Sequence, residues 1–458
     1  MIPWVRLCEF PRRREQERSA FKRGPKERPL NLVLDVESFD LADAVVSTIR
    51  DFGVNPNINI QDIKMDQITL GGGRGTIDWE DDGGQRRCFI GSVAHNIRCI
   101  EGYGETLDRK TDPLLDKRLA LAMYARAEHC DGMISSPQVL RIAARFYPDA
   151  NPVTPVEALA LVGLHLRLRE DYVVHERQGF RLTRPGIDFY TTLAHGILPD
   201  LARWLEHGPS PDENDLAAQG LATGLTLRMA RALRFRDRVH GYALREPTIT
   251  NGDEMLSYFD SFLVALVGVF DIAARVTSAV YSLGSPRRAN WREAGWRSRL
   301  VAAEPQMGAL LADGTQVRDV LDTIYSLRNT IHAEPLPALG MVKTTGKLIE
   351  YRAVLPSAVR TALAEPLARF GGARSWGFDD LGADTISVRA TEFVEAAVCA
   401  AARALTSLMQ AVRFDSECGS SRTQCLPDEI EALLPRVRSL GGLALPTDEQ
   451  GLTTRPYV

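Results

Sequence analysis

The sequence predicts an α+β multidomain protein, with an N-terminal α/β domain followed by a C-terminal all-α helical bundle. Three observations predict it. At 458 residues the chain is too long for one ordinary core. In its first part, short apolar runs alternate with helix-spaced segments, as in layered strands and helices. In its second part, four long segments repeat apolar residues at spacings of three and four, and a bundle is the packing that buries such stripes.

Composition narrows the function classes. With 45% hydrophobic and 25% charged residues, the chain reads as an ordinary globular protein. A formal net charge of −4 denies it the global basic field of a non-specific nucleic-acid binder, so any RNA contact has to come from a local patch. No apolar run reaches the roughly 18 residues of a membrane span; the nearest, FLVALVGVFDIAARV from Phe262, is broken by Asp271 and Arg275. The first residues lack the apolar core of a signal peptide, so a cytoplasmic location and no membrane partner are expected. The seven cysteines include no Cys-x-x-Cys pair and are odd in number, which argues against a disulfide framework or a zinc site. Cys418 and Cys425 read as free thiols in a linker, and His129 beside Cys130 is a weak pair.

Taken in order, residues 1–29 are rich in Arg, Lys, Glu and Pro and read as a disordered basic arm, either a solvated tail or an electrostatic contact for RNA. The α/β domain is placed at 30–176. LNLVLD is a strand ending in Asp35, and LADAVVSTIRDFG is a helix closed by Gly53. Residues 58–93 alternate polar and apolar side chains around Gly-rich turns and predict β-hairpins. The run Gly71-Gly72-Gly73-Arg74-Gly75 lacks the Lys-Ser/Thr ending of a phosphate loop and reads as a turn. PLLDKRLALAMYARAEHCDGMISS predicts a helix and then a short strand after Asp131. In VTPVEALALVGLHLRLR, Thr154 is an N-cap, Pro155 the first helical residue and Glu157 the third, which is a capping box ahead of a long apolar helix. A connecting segment covers 177–220. The bundle is placed at 221–415, with helices from Leu221 to Val239, Glu254 to Leu283, Thr315 to Ala333 and Ser387 to Val412. Residues 416–458 read as a linker and one short helix, PDEIEALLPRVRSL.

The third bundle helix carries the most informative residues, Arg328-Asn329-Thr330-Ile331-His332-Ala333-Glu334. Val317, Val320, Leu321, Ile324, Leu327 and Ile331 define its buried stripe, and Pro335 stops it. Arg328 and His332 lie four residues apart and so project from one face, on the flank of that stripe. There a fixed cation and an imidazole with a reference pKa near 6.5 could meet one phosphate. A structural reading is open as well: Arg328 pairing with carbonyls or Glu334, and His332 as a hydrogen-bonded helix-end residue. A second Arg-x3-His, Arg236 to His240 in RFRDRVHGY, shows that the spacing also arises by chance.

PRRANWREAGWRSRL interleaves Arg287, Arg288, Arg292, Arg297 and Arg299 with Trp291 and Trp296. Arginines beside aromatics suit stacked single-stranded nucleic acid. The alternative is a Trp-anchored helix with a basic outer face.

A helical bundle with an Arg-Asn pair and a following His late in one helix resembles the HEPN superfamily, over roughly Leu221 to Val412. Its members include metal-independent RNases of bacterial toxin-antitoxin, CRISPR and phage-defence systems. The resemblance implies an endoribonuclease in which His332 is the acid/base, Arg328 stabilises the phosphate charge and Asn329 orients them, with no cofactor and usually a homodimer. Family motifs commonly place four to six residues between Arg and His, whereas this chain has three, which turns His332 by about 100° around the helix. A non-catalytic relative that dimerises and binds nucleic acid or protein is the alternative.

The order of elements in Asn31 to Glu176 resembles, more loosely, the PIN-like nuclease fold, whose acids hold Mg or Mn for phosphodiester hydrolysis. By position Asp35 matches the first acid and Asp116 the helix acid. Where the family commonly carries Thr-x-Asp after the final strand, this chain reads Ile134-Ser135-Ser136-Pro137, and Asp131 precedes the strand. Asp35, Asp116 and Asp131 are the candidate metal ligands, while Asp78, Glu80, Asp81 and Asp82 read as an acidic turn. RNA, a second copy of the chain and a protein encoded in the same operon are the partners these resemblances imply.

Overall fold

The computed structural model describes residues 29–81, 84–177, 180–207, 216–245, 247–333, 336–342, 348–369, 372–382, 385–414 and 428–442. The basic arm at 1–28, Cys418 and Cys425 lie outside them. An N-terminal parallel sheet flanked by helices leads into a mostly helical region that also holds small antiparallel sheets.

The first half runs β1 (Leu30–Asp35), α1 (Ala44–Asp51), β2 (Ile58–Ile63), β3 (Ile68–Gly71), β4 (Arg74–Asp81), β5 (Gly84–Ile90), α2 (Val93–Gly102), α3 (Leu115–Ala127), β6 (Gly132–Ile134), α4 (Pro137–Phe146), β7 (Pro152–Val153) and α5 (Pro155–Leu168). Four strands form a parallel sheet in the order β2-β1-β6-β7, with Leu32 opposite Gly132 and Leu34 opposite Ile134. Strand order reverses between β2 and β6, on either side of β1, so the C-terminal end of β1 opens at a topological switch point. Because alternate residues of a strand face opposite ways, Leu30, Leu32 and Leu34 join one core, while Val33 and Met133 join a second core with α3. The predicted hairpins over 58–93 form only in part. Ile58–Ile63 is a strand of the parallel sheet, and β3, β4 and β5 make the antiparallel meander. Gly72 and Gly73, at φ 58° and 80°, form the two-residue turn of the β3–β4 hairpin, a backbone that favours glycine.

The capping box at α5 forms as read: Thr154 Oγ1 accepts from the Glu157 N–H at 3.3 Å, and Glu157 Oε2 accepts from the Thr154 N–H at 2.7 Å. Every residue from Ala158 to Leu168 is buried, since α5 lies between the sheet and the helical region. One core therefore continues from β1 through Leu161 and Leu164 to Phe259 and Phe393 of the later helices.

Then follow β8 (Val173–Arg177), β9 (Phe180–Thr183), α6 (Gly186–Ile197), α7 (Leu201–His207), α8 (Leu216–Ala243), α9 (Ile249–Val280), α10 (Ala294–Ala303), α11 (Gln306–Leu310), α12 (Gln316–Ala333), β10 (Ala338–Val342), β11 (Leu348–Leu355), α13 (Ser357–Arg369), β12 (Phe378–Gly382), β13 (Thr385–Val388), α14 (Ala390–Ala411) and α15 (Asp428–Leu440). Helices α8 and α9 form a long hairpin against which α12 and α14 pack. By length and composition α9 could cross a membrane; 61% of its most apolar window is buried inside the protein.

The region after 221 is not all-α. A four-stranded antiparallel sheet, in the order β10-β11-β13-β12, is inserted between α12 and α14. Residues 385–388, whose last two were read as the start of a helix, belong to its strand β13, and Arg352 and Arg389 converge on Asp379 at 2.5 and 2.7 Å beside it. Only the central pairing, Ala353 with Val388, spans a long interval of sequence; β10–β11 and β12–β13 are local hairpins that the sequence reading passed over.

Arg236 and His240, the second Arg-x3-His, are fully buried parts of a polar network. His240 Nε2 lies 2.7 Å from Glu395 Oε1, and Arg236 donates to Asp237 at 2.9 Å and to the Gly441 carbonyl at 2.6 Å. Arg167 and Tyr190 reach the other Asp237 oxygen at 2.6 and 2.8 Å. Burial alone would raise the Asp237 pKa, but the Arg167 and Arg236 guanidiniums outweigh it and hold the carboxyl well below the usual range. The network ties α5, α6, α8 and α14 to the end of α15.

Candidate active site

The three candidate metal ligands do not converge. Asp35 is fully buried at the C-terminal end of β1, where its Oδ2 accepts from Ser135 Oγ at 2.7 Å and from Arg118 Nε at 3.0 Å. Asp131 sits at the other end of the sheet, level with Asn31, whose N–H donates to it at 2.9 Å. Four residues of strand, roughly 13 Å, separate the two levels. Asp116 pairs with Arg109 at 2.9 Å, and the second carboxylate near Asp35 is instead Asp112, 2.6 Å from Arg118 Nη1. Arg118 thus occupies the place between carboxylates that a divalent cation would need. Among the described residues no group of three or more His, Cys, Asp or Glu side chains could hold a metal ion. The donor set does not fit Mg or Mn. Of the residues read as an acidic turn, Asp78, Glu80 and Asp81 lie instead in strand β4, where Asp78 pairs with Arg87 of β5 at 2.5 Å, and Asp82 lies outside the described residues.

The tryptophans do not form a stacking platform. Trp291 and Trp296 are buried and pack edge to face at 5.2 Å. Trp291 Nε1 donates to the Phe270 carbonyl at 2.7 Å, which pins the segment onto α9. A buried indole needs a partner for its N–H, and α9 supplies it. Of the arginines beside them, Arg287 and Arg288 are exposed on a short 3-10 turn, while Arg292 and Arg297 are half-buried.

Arg292 brings this segment to the motif helix. Its guanidinium lies 5.8 Å from the Tyr325 ring and 3.5 Å from Asp322. Burial, together with the Asp271 carboxylate 2.5 Å from its hydroxyl, raises the Tyr325 pKa far above the ordinary value, against the opposing pull of Arg292 and Arg328. Two arginines predicted for different roles, Arg292 for RNA contact and Arg328 for catalysis, therefore act on one tyrosine.

Arg328 is half-buried on α12, and among the described residues its side chain makes one polar contact, Nη1 to Asn329 Oδ1 at 3.3 Å. Its Nε is buried without a hydrogen-bond partner, and no carboxylate among the described residues pairs with it. Asn329 is exposed. The backbone of His332 belongs to the last turn of α12, but its side chain and Glu334 lie outside the described residues.

That turn borders a cleft of about 530 Å³ between α8 and α9, lined by Arg228, Arg231, Asp260, Ser261 and Ile331. Burial pushes the Asp260 carboxyl up to about 6. Its Oδ1 is buried without a hydrogen-bond partner among the described residues, in a cleft whose lining also includes Arg228 and Arg231 one helical turn apart. Sequence reasoning passed over Arg228, Arg231 and Asp260. The arginines at 228, 231 and 234 recur every third residue of RMARALR, which places them on one flank of α8, but nothing local to Asp260 marks it.

Comparisons with protein-family models, curated proteins and solved structures return no match to this chain.

Proposed function

We propose that the chain is a metal-independent endoribonuclease of a bacterial defence or toxin-type system, acting in the cytoplasm through a HEPN-like site on the last turns of α12. One observation carries this reading: the Arg328 guanidinium is half-buried beside an exposed Asn329, and no carboxylate among the described residues neutralises it. A guanidinium held this way is preorganised for a phosphate. His332 withdraws the proton from an RNA 2′-hydroxyl, the 2′-oxygen attacks phosphorus, and the 5′-oxygen leaves. Arg328 meets the charge that develops on the phosphoryl oxygens, and Asn329 orients Arg328. In a homodimer the same turn of the second copy protonates the leaving oxygen. The site requires no cofactor, and a protein from the same operon would restrain it. The PIN-like resemblance then concerns strand order alone, because Arg118 occupies the acidic pocket.

Cleavage of RNA in EDTA by wild type, His332→Ala and Asp35→Ala tests the reading. EDTA-resistant cleavage lost in His332→Ala and kept in folded Asp35→Ala supports it, and EDTA-sensitive cleavage lost in Asp35→Ala replaces it with metal-dependent hydrolysis. The three-residue spacing between Arg328 and His332 favours a second reading, a non-catalytic HEPN-like dimerisation and binding module. Absence of cleavage by folded wild type selects that second reading.

A further inference from the structure

A larger cleft, about 910 Å³, lies along α8 from the motif turn and shares Arg231 with the cleft at Asp260. The segment after α5, the N-terminus of α6 and the outer face of α8 enclose it. Three arginines line it: Arg184 ahead of α6, and Arg231 and Arg234 one turn apart on α8. None of the three side chains has an ion-pair or hydrogen-bond partner among the described residues, and the Arg184 backbone N–H donates to the Tyr172 carbonyl at 3.0 Å.

The two acids in the same wall do not neutralise them. Glu170 is held by Arg238 at 3.2 Å and Asp171 by Arg181 at 2.6 Å, and neither of those arginines lines the cleft. The cleft therefore carries three uncompensated positive charges. Like charges one helical turn apart repel, and an anion between them removes that repulsion.

The rest of the wall suits a phosphorylated ribonucleotide unit. Helix α6 begins at Gly186 with no side-chain cap, and Gly186 and Ile187, whose N–H groups open the helix, line the cleft. The Tyr172 ring lies against Gly186 so closely that a Cβ there would fall 2.7 Å from ring carbons. Glycine thus lets the hydroxyl end of the Tyr172 ring lie beside the helix N-terminus, while the ring itself packs on Phe189 and Tyr190. Cations, free amides and an aromatic ring within a cleft of nucleotide size match phosphate, ribose and base together.

We propose that this cleft binds the phosphate-ribose unit of a ribonucleotide, and that Arg228, Arg231 and Arg234 continue it as a track along α8 to the last turn of α12. The choice of an RNA strand as the source, over a free nucleotide, rests on the proposed function, whereas the cleft itself does not.

Fluorescence anisotropy with a labelled single-stranded oligoribonucleotide, in EDTA and at several salt concentrations, tests the proposal. Arg231→Ala/Arg234→Ala is the main variant, Arg184→Ala the second from a different element, and Arg299→Ala controls for lost surface charge, with circular dichroism to verify folding. The double variant is expected to bind at least about tenfold more weakly, and loss of two phosphate contacts flattens the salt slope by about 1.4. Arg299→Ala is expected to bind like wild type. ATP competing for the site in wild type but not in the double variant assigns the cleft to free nucleotide, and oligonucleotide binding without ATP competition assigns it to an RNA strand. Unchanged oligonucleotide and ATP binding in both arginine variants overturns the proposal. Cleavage by His332→Ala and binding by the α8 arginine variants are separate readouts, so loss of the catalytic reading and loss of the cleft are separate results.

Discussion

Arg118 donates from Nε to Asp35 Oδ2 at 3.0 Å inside the crevice at the end of β1, and its Nη1 meets Asp112 at 2.6 Å. A guanidinium between two carboxylates neutralises them with directed hydrogen bonds, the part a metal ion would otherwise take. Its side chain is only 12% exposed, so the pair is shielded from solvent.

Removing one partner leaves an uncompensated buried charge, and Asp35→Ala should lower stability by about 3–5 kcal/mol in chemical denaturation. The thermal midpoint of wild type should not respond to Mn or EDTA. Arg118→Ala, which leaves Asp35 and Asp112 facing each other, should gain a midpoint that rises with Mn. A wild-type midpoint that falls on chelation would contradict the assignment.

Trp291 anchors the arginine-rich segment instead of stacking on a base. Trp291→Ala should cost about 3–5 kcal/mol, as expected for loss of a large buried side chain. Trp291→Phe should be destabilised through the lost bond to the Phe270 carbonyl while binding RNA with wild-type affinity, measured by anisotropy. Weaker binding by folded Trp291→Phe would restore the stacking role.

At Gly163 the end of α15 touches α5 so closely that a Cβ would collide with the Leu440 carbonyl oxygen. Helix propensity alone would make Gly163→Ala stabilising by about 1 kcal/mol. The contact reverses the sign, so a lowered thermal midpoint is expected, and a raised one would show that α15 does not dock there.

Asp260 gives a pH signature. Its carboxyl is pushed up to about 6 in the folded protein, against about 3.9 in the unfolded chain. Between those values the folded state binds the extra proton, so stability is greatest below about 4 and declines as pH rises through about 6. Asp260→Asn carries no such penalty. It should melt above wild type at pH 8 and approach it as pH falls to 4; equal midpoints at pH 8 would show that the carboxyl is not desolvated.

The elements that the sequence made legible are those whose signal is local. The capping box of Thr154 and Glu157, the Gly72-Gly73 turn and the four long amphipathic helices each rest on residues within a few positions of one another. The sheet β10-β11-β13-β12 was missed: its two hairpins are local, but the pairing that joins them, Ala353 with Val388, forms only once the chain has returned past α13. The tryptophans had two readings at equal spacing, and burial against α9 decided between them.

Arg328 and Asn329 were found as residues, with their order and their helix. That Arg328 Nε lacks a partner, that Arg292 shares Tyr325 with it, and that Asp260 and the α8 arginines open beside the same turn are facts of tertiary packing. In the same way the sequence placed an acid at the end of β1, and the fold put a guanidinium on it. Helix and turn preferences act over one or two turns of chain, so sequence alone determined them. Charge compensation and burial depend on which distant segments meet, and only the tertiary structure decided those.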